Sequence, residues 1–567
     1  MDQRLTASDR LLALLAYVVL ALALTYPLVL RPATANRLDS PDALLNGWIV
    51  SWCLHQLPRD PLRLFDANIF YPEKGALALS ENLLTGALLA APAALFSSSP
   101  VLLFNAVLLA GFVGSGYAAF LLAHDLTGSR LASGLAGILF AFAPYRFAHI
   151  PHLQLQLAFG IPLMLCFARR ILAGRGGLGS LVGFAASIPL TFGSSVYYSV
   201  YGATVVPLLA LFELPAIEGG RRLGRMARLG LAAGAGILAT APLALPYWSK
   251  LGSGMTRSIA TASEFEATGL DYVSSFSRLH EFLPKTNEPL FPGFVAIGLA
   301  AASLWPPASE RRRAWAWIAV GALGIALSLG PSFGLFSILY EVFPPYRALR
   351  VPSRAGILFL LAVSMLAALG LSRVRASAIR LSLVAIAAAE CARLPLPLRM
   401  EPPVLPPIYR HVDALEADGA LLELPLPPPE RFQDNAVYVF RSAYHRRSIV
   451  NGYSGFVPES YRETYDYLTT RTLSESLARL SRQGVRFVLA HEGRLGPRLR
   501  REIAEAERDG ILTVLGEERP DRLFRIREGG APIVRSSGPL PEASRSREAT
   551  PGSDPPSARP MELPRGR

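Results

Sequence analysis

The sequence predicts an all-α polytopic membrane domain of about eleven spans, followed by a C-terminal extracytoplasmic α/β domain. Three observations carry this. The 567 residues are 51% hydrophobic and only 17% charged, where soluble domains carry about 25% charged residues. The apolar residues fall in runs of roughly twenty, enough to cross a hydrocarbon core of ~30 Å. Arginines cluster in alternate turns between those runs, the pattern that sets orientation.

The first run, residues 11–30, follows Arg4 and Arg10 and resembles a signal sequence. It exceeds the usual signal core of about 7–15 residues. Arg31 and Pro32 also separate it from the cleavage-like Ala33-Thr34-Ala35, so an uncleaved anchor is expected. Further spans are expected at 100–123, 131–145, 153–168, 179–194, 197–214, 229–247, 292–307, 314–330, 354–371 and 378–393. With the N-terminus cytoplasmic, the turns 124–130, 169–177, 219–228, 307–313 and 372–380 share its side and hold most of the arginine clusters. The apolar stretch 83–96 is too short for a span and reads as interfacial.

The expected membrane domain is 1–393, with a first outer loop at 31–99. The Pro-rich stretch 394–407 reads as a stiff linker. Residues 408–527 read as α/β, with strands near 421–424, 448–450, 486–489 and 511–515 and helices near 473–483 and 498–509. The tail 528–567, rich in Pro, Ser, Arg and Gly, reads as disordered.

Composition also excludes. The formal net charge is +13, yet it lies in short turns and in a mixed-charge C-terminal third, with no basic patch interleaved with a stacking surface. Nucleic acid is therefore not an expected partner. Cys53, Cys166 and Cys391 have neither disulfide nor metal spacing. The predicted spans are almost free of ionisable groups at their centres and show no inverted repeat, which counts against transport.

Candidate chemistry gathers on the outer side. Of eight histidines only His124 maps to the cytoplasm. In the first loop, Asp39 and Asp42 precede a predicted helix, 42–57, that carries Trp48, Trp52 and His55. Ser40 or Asp42 suits its N-cap, and a carboxylate there also suits a general base for a hydroxyl nucleophile. Glu73 and Lys74 follow Phe70-Tyr71-Pro72; Lys74 reads either as a phosphate contact or as a snorkelling lysine. His149 and His152 form a His-x-x-His at an outer turn, suited to metal, phosphate or simple helix-end capping. Arg347, Arg350 and Arg354 break the charge rule by standing outside, before a span. Anionic phosphate is the natural reason, and ion pairing to Glu341 is the alternative.

The segment from Asp42 to about Leu172 resembles the C-type membrane glycosyltransferase superfamily, with its acidic first outer loop and interfacial helices. It includes the turn Leu122-Ala-His-Asp-Leu-Thr-Gly-Ser-Arg130 and Ala141-Phe-Ala-Pro-Tyr-Arg146. Arg350-Val-Pro-Ser-Arg354 and Asn451-Gly-Tyr-Ser-Gly455 resemble stretches of bacterial proteins in the same superfamily. The resemblance implies inverting hexosyl or pentosyl transfer from a polyprenyl-phosphate sugar to a glycan, glycolipid or envelope polymer. The setting would be the bacterial inner membrane, with its lipids as further partners. Asp42 would be the base, with Asp39 as second candidate, and His149 or His152 would orient the donor. The chain departs from the superfamily in separating Asp39 from Asp42 and in carrying histidines where relatives often carry Arg and Asp. No cofactor is assigned; a divalent metal stays open. The rival classes are a lipid or glycan transporter and a non-catalytic envelope-assembly protein.

Overall fold

The computed structural model describes residues 5–252, 256–305 and 311–527. The expected disordered tail, Arg4, and residues 307–310 of the fourth basic turn lie outside the described residues.

Seven helices among these residues are long and apolar enough to cross a membrane: Ala7–Leu24, Pro100–Thr127, Arg130–Ala148, Leu153–Leu172, Val196–Ala216, Gly219–Leu251 and Pro352–Arg373. Four further expected spans fall on Gly177–Phe192, Phe294–Ala302, Arg311–Ser328 and Ser377–Cys391, which are shorter or begin with arginines. Pro352–Arg373 is the most enclosed and Ala7–Leu24 the most peripheral. The stretch 83–96 forms the helix Leu84–Ala94, only 11 residues long.

Small residues let these helices approach closely, as association within lipid requires. A Cβ at Gly137 would lie 1.8 Å from the Tyr17 hydroxyl, and one at Gly116 2.6 Å from its ring. Tyr17 thus fills a slot between two other helices and donates to the Gly134 carbonyl at 3.1 Å.

Charge gathers at one end of the bundle. Asp125, almost fully buried, meets Arg169 and Arg170 at 3.3 Å and Arg175 at 3.0 Å. Arg130 pairs with Asp9 at 2.8 Å. Arg313 donates to Leu126 O, Arg225 to Leu172 O and Arg380 to Ser129. The arginine-bearing turns are therefore tied to one another.

The chain breaks its helical path between residues 141 and 160, passing through Pro144–Ala148 and Leu153–Gln156 before Gly160–Leu172 resumes. Arg146, wholly buried, holds the break by donating to the Gly111 and Gln156 carbonyls. The Gln156 amide donates back to Arg146 O at 3.0 Å and His149 O at 2.7 Å. A fixed, irregular corner at 149–152 results, and it presents both histidines.

The first loop opens with the helix Pro41–Gln56, where the Ser40 hydroxyl accepts from Ala43 N at 3.3 Å and Pro41 takes the first helical position. Trp48 and Trp52 are buried, donating to Asn68 and Leu64 O. The helix packs on Ala436–His445; a Cβ at Gly47 would sit 3.1 Å from Phe440.

Four strands make the C-terminal sheet: β1 Ala420–Leu424, β2 Val485–His491, β3 Leu512–Glu518 and β4 Asp521–Ile526. Their order is β1-β2-β4-β3, with β1–β2 parallel and the other pairs antiparallel. The expected strand near 448–450 forms only an isolated bridge, Ile449 to Leu421. Its other side pairs with the first loop: Ile449 N donates to Asn68 O, Tyr71 N to Ile449 O and Phe70 N to Asn451 O, all near 3.0 Å. It is spent joining two parts of the chain. Helices Leu473–Arg482 and Pro497–Arg508 lie near the expected positions, whereas Ile408–Asp413, Ala436–His445, Glu459–Thr470 and strand β4 were not expected. The Pro-rich stretch is pinned to the start of the first loop, through Leu396 N to Tyr26 O and an Asn36–Arg399 bridge. The described residues pack as one compact unit.

Candidate functional site

A cavity of about 460 Å³ lies between the first loop, the irregular corner, the segment before Pro352–Arg373 and the C-terminal region. Asp42, in the first turn of Pro41–Gln56, stands at its wall. Its Oδ2 accepts from His152 Nε2 at 3.1 Å and its Oδ1 from the Tyr453 hydroxyl at 2.5 Å. Burial disfavours the charged carboxylate, but the hydrogen bonds from His152 and Tyr453 and the nearby Arg354 outweigh it, holding Asp42 well below the usual carboxylate range. Burial also lowers His152, despite the raising effect of Asp42. The pair is thus a carboxylate receiving a hydrogen bond from a neutral imidazole. The other ring nitrogen, His152 Nδ1, is buried with no hydrogen-bond partner.

Behind this pair, His149 Nε2 lies 3.1 Å from the Glu288 carboxylate, and the two imidazoles are 5.5 Å apart. Burial pushes Glu288 up, but His149 and Arg354 more than compensate, leaving it lowered. Glu81 shares the cavity wall, accepting from Val196 N at 2.7 Å and Ser195 Oγ at 3.3 Å at the start of the helix Val196–Glu213. Its burial dominates and raises its pKa.

Arg350 and Arg354 line the same cavity, with guanidiniums over the Phe265 and Tyr197 rings at 5.1 and 4.7 Å, and Arg354 lies near enough to act on the Asp42, Glu81 and Glu288 carboxylates. Among the described residues neither has a carboxylate within ion-pair distance. Arg257 donates to the Gly455 carbonyl, lies over Phe456 at 3.8 Å, and is lowered to about 10 by burial and by Arg350.

The cavity thus brings together Asp42, His152, Arg350 and Arg354, with His149 directly behind. The other sequence candidates stand elsewhere. Asp39 pairs with Arg37 at 3.3 Å, and His55 lies beside Trp52 with the two rings tilted by 33°. Glu73 is held by Lys250 and Ser460, and Lys74 is exposed. Arg347 meets Glu341 at 3.5 Å and the Tyr340 carbonyl at 3.1 Å, the ion-pair alternative. Sequence reasoning missed Glu81, Tyr197, Arg257, Glu288 and the role of Tyr453. Only the Asn451-Gly-Tyr-Ser-Gly455 motif offered a signal for any of them. Among the described residues no three His, Cys, Asp or Glu side chains are grouped to hold a metal; His152 and Asp42, and His149 and Glu288, are engaged with one another in pairs.

No protein-family model and no curated protein matches the chain. Solved structures do. The arabinofuranosyltransferase AftD from mycobacteria superposes with a TM-score of 0.54 at 16% identity, covering 94% of this chain and 40% of that one. The oligosaccharyltransferase AglB from Archaeoglobus fulgidus, solved with an inhibitory peptide and a dolichol-phosphate, gives 0.45 at 12%, covering 85% and 69%. ArnT from Cupriavidus metallidurans, bound to undecaprenyl phosphate, gives 0.37 at 11%, covering 94% and 100%. The AftD likeness carries the fold alone: the chain shares the architecture of that part of AftD. The chain spans about two fifths of the AftD length.

Proposed function

We propose that this chain is an inverting glycosyltransferase of a bacterial inner membrane. It moves a pentose or hexose from a polyprenyl phosphate to a glycan, glycolipid or envelope polymer at the outer face. In this reading about eleven segments span, the N-terminus is cytoplasmic, and the region from 408 to 527 stands outside with the cavity. The observation that supports it most is that one cavity holds the Asp42 carboxylate and two arginines that, among the described residues, have no carboxylate within ion-pair distance. Guanidinium groups that line a cavity without a direct ion pair suit an anionic ligand, and their planar forks suit phosphate.

The chemistry follows from the positions. The phosphate sits against Arg350 and Arg354 with the sugar reaching toward Asp42. The acceptor oxygen bonds to C1 on the face opposite the phosphate as the C1–O bond breaks. Asp42 takes the acceptor proton, and the electron pair leaves on the polyprenyl phosphate, whose growing charge the arginines stabilise. Asp42 is a weak base, sufficient here because the acceptor hydroxyl becomes acidic as its bond to C1 forms. His152 fixes the carboxylate's orientation.

Incubating purified protein with labelled polyprenyl-phosphate sugars and a panel of glycan acceptors tests this. Asp42→Asn should lower transfer by about 10²–10⁴-fold, and Arg354→Ala should weaken donor binding. Undiminished transfer by Asp42→Asn rules the reading out.

A further inference from the structure

We infer that Arg257, with Arg350 beside it, forms a second anion seat in the cavity, and that the acceptor is acidic, bringing a carboxylate or phosphate of its own to that seat. This rests on the glycosyltransferase reading above, in which the donor's phosphate already lies against Arg350 and Arg354. It deepens that reading by naming the charge of the acceptor.

The three arginines of the cavity are not alike. Arg354 has acids for neighbours, since Asp42, Glu81 and Glu288 all lie near enough to feel its charge. Arg257 has none: among the described residues no carboxylate lies within ion-pair distance of it. The charge that acts on it is another guanidinium, for burial and then Arg350 lower it to about 10. Two cations held near each other on one cavity wall suit an anion between them. Each guanidinium carries five N–H donors. Arg257 spends one on the Gly455 carbonyl, and among the described residues Arg350 donates to protein only through its backbone N–H, to the Tyr197 hydroxyl. Phe456 and Phe265 lie under the two guanidiniums at 3.8 and 5.1 Å, which answers part of the charge. Stacking occupies the faces and leaves the in-plane N–H groups for an oxyanion.

The seat is held from both sides. Arg257 N donates to Arg347 O at 3.2 Å, and the Arg257 carbonyl accepts from the Tyr340 hydroxyl at 2.6 Å. Gly455 lies close against the first loop, where a Cβ would sit 2.6 Å from Leu79 O. The stretch that ends in Gly455 begins at Asn451, locked to Glu423 and Asn435 by three hydrogen bonds of 2.8–3.0 Å.

Its place also fits the acceptor. The acceptor hydroxyl must reach Asp42, and Tyr453 touches Asp42 at 2.5 Å. Arg350 lies near enough to Tyr453 to act on its phenol, and Gly455, in the same stretch, carries Arg257. An acceptor sugar whose hydroxyl meets Asp42 can therefore set a neighbouring carboxylate or phosphate on Arg257.

The test uses acceptors paired to differ in one group: an oligosaccharide with a uronate against the same one with its neutral hexose, and a phosphomonoester against the free hydroxyl. Purified protein receives the labelled polyprenyl-phosphate sugar that wild type transfers, and kcat/KM is measured for each acceptor. In at least one pair wild type should favour the acidic member by about tenfold or more, the range of a charged hydrogen bond. Arg257→Gln should bring that ratio near one, and Arg257→Lys, which keeps the charge, should retain part of it. The ratio is internal to active molecules and does not depend on the folded fraction. A wild type that treats the members of both pairs alike overturns the inference and leaves the glycosyltransferase reading standing. So does an Arg257→Gln variant that loses acidic and neutral acceptors in proportion, as loss of a strap to Gly455 or of a donor contact would. A folded wild type that transfers no sugar to any acceptor overturns the glycosyltransferase reading, and this inference with it.

Discussion

Burial and hydrogen bonding oppose each other at the titratable residues, and the winner differs from site to site. At Asp42 the donors win and the carboxylate persists. At His445, half-buried beside Tyr409, desolvation wins and the imidazole is lowered to about 4. The sign of the linkage is clear: between about pH 6.5 and pH 4 the unfolded chain binds the His445 proton and the folded chain does not, so stability falls as pH falls through that window. His55, lowered to about 4, and His152 act in the same direction. The unfolding midpoint in detergent should therefore drop from pH 6.5 to pH 4, and His445→Phe should make the drop shallower. Asp42 adds stability that is present above its unfolded value near pH 3.9 and is lost only at still lower pH. Acid loss of activity at moderate pH would accordingly trace to histidines rather than to the base.

Among the elements, the ends of the helices are chemically unlike. One end is cross-linked by Asp125, whose carboxylate receives Arg169, Arg170 and Arg175. Removing Asp125 leaves Arg169 its second partner, Glu213, and leaves Arg170 and Arg175 partly in solvent, so the cost falls below the about 3–5 kcal/mol of a fully buried pair. Asp125→Ala should lower the unfolding midpoint in detergent, while donor affinity of the surviving folded protein stays near wild type. The other end is irregular by construction. Pro144, Pro151 and the buried Arg146 break the helical path and set His149 and His152 at a corner. The helix Pro41–Gln56 brings Asp42 to meet them, and the segment 448–455 brings Tyr453 by pairing with the first loop.

Over the whole molecule, the cross-linked arginine turns and the cavity occupy opposite ends of the same helices, so orientation in the bilayer and exposure of the site are one question. Single cysteines placed at the exposed Lys74 and Arg410 should both react with an impermeant thiol reagent added outside intact spheroplasts. One at Arg221 should react only after permeabilisation. Labelling of Lys74 and Arg410 from opposite sides would separate the first loop from the C-terminal region, against the hydrogen bonds that join them.

The sequence by itself determined what depends on near neighbours: apolar runs and their lengths, the arginine bias of alternate turns, the Ser40-Pro41-Asp42 helix start, and the fold that these imply. It also marked as chemical the stretches around Asp42, His149 to His152 and Arg347 to Arg354. Only the tertiary structure decided which of those residues share a cavity. Asp42, His152, Arg350 and Arg354 do, whereas Asp39, Glu73 and Arg347 find ionic partners elsewhere. Spacing along a chain reports local geometry. A charge's role is set by whichever group stands within a few ångströms, and for Asp42 those groups come from residues 152 and 453, brought there by packing and not by proximity in sequence.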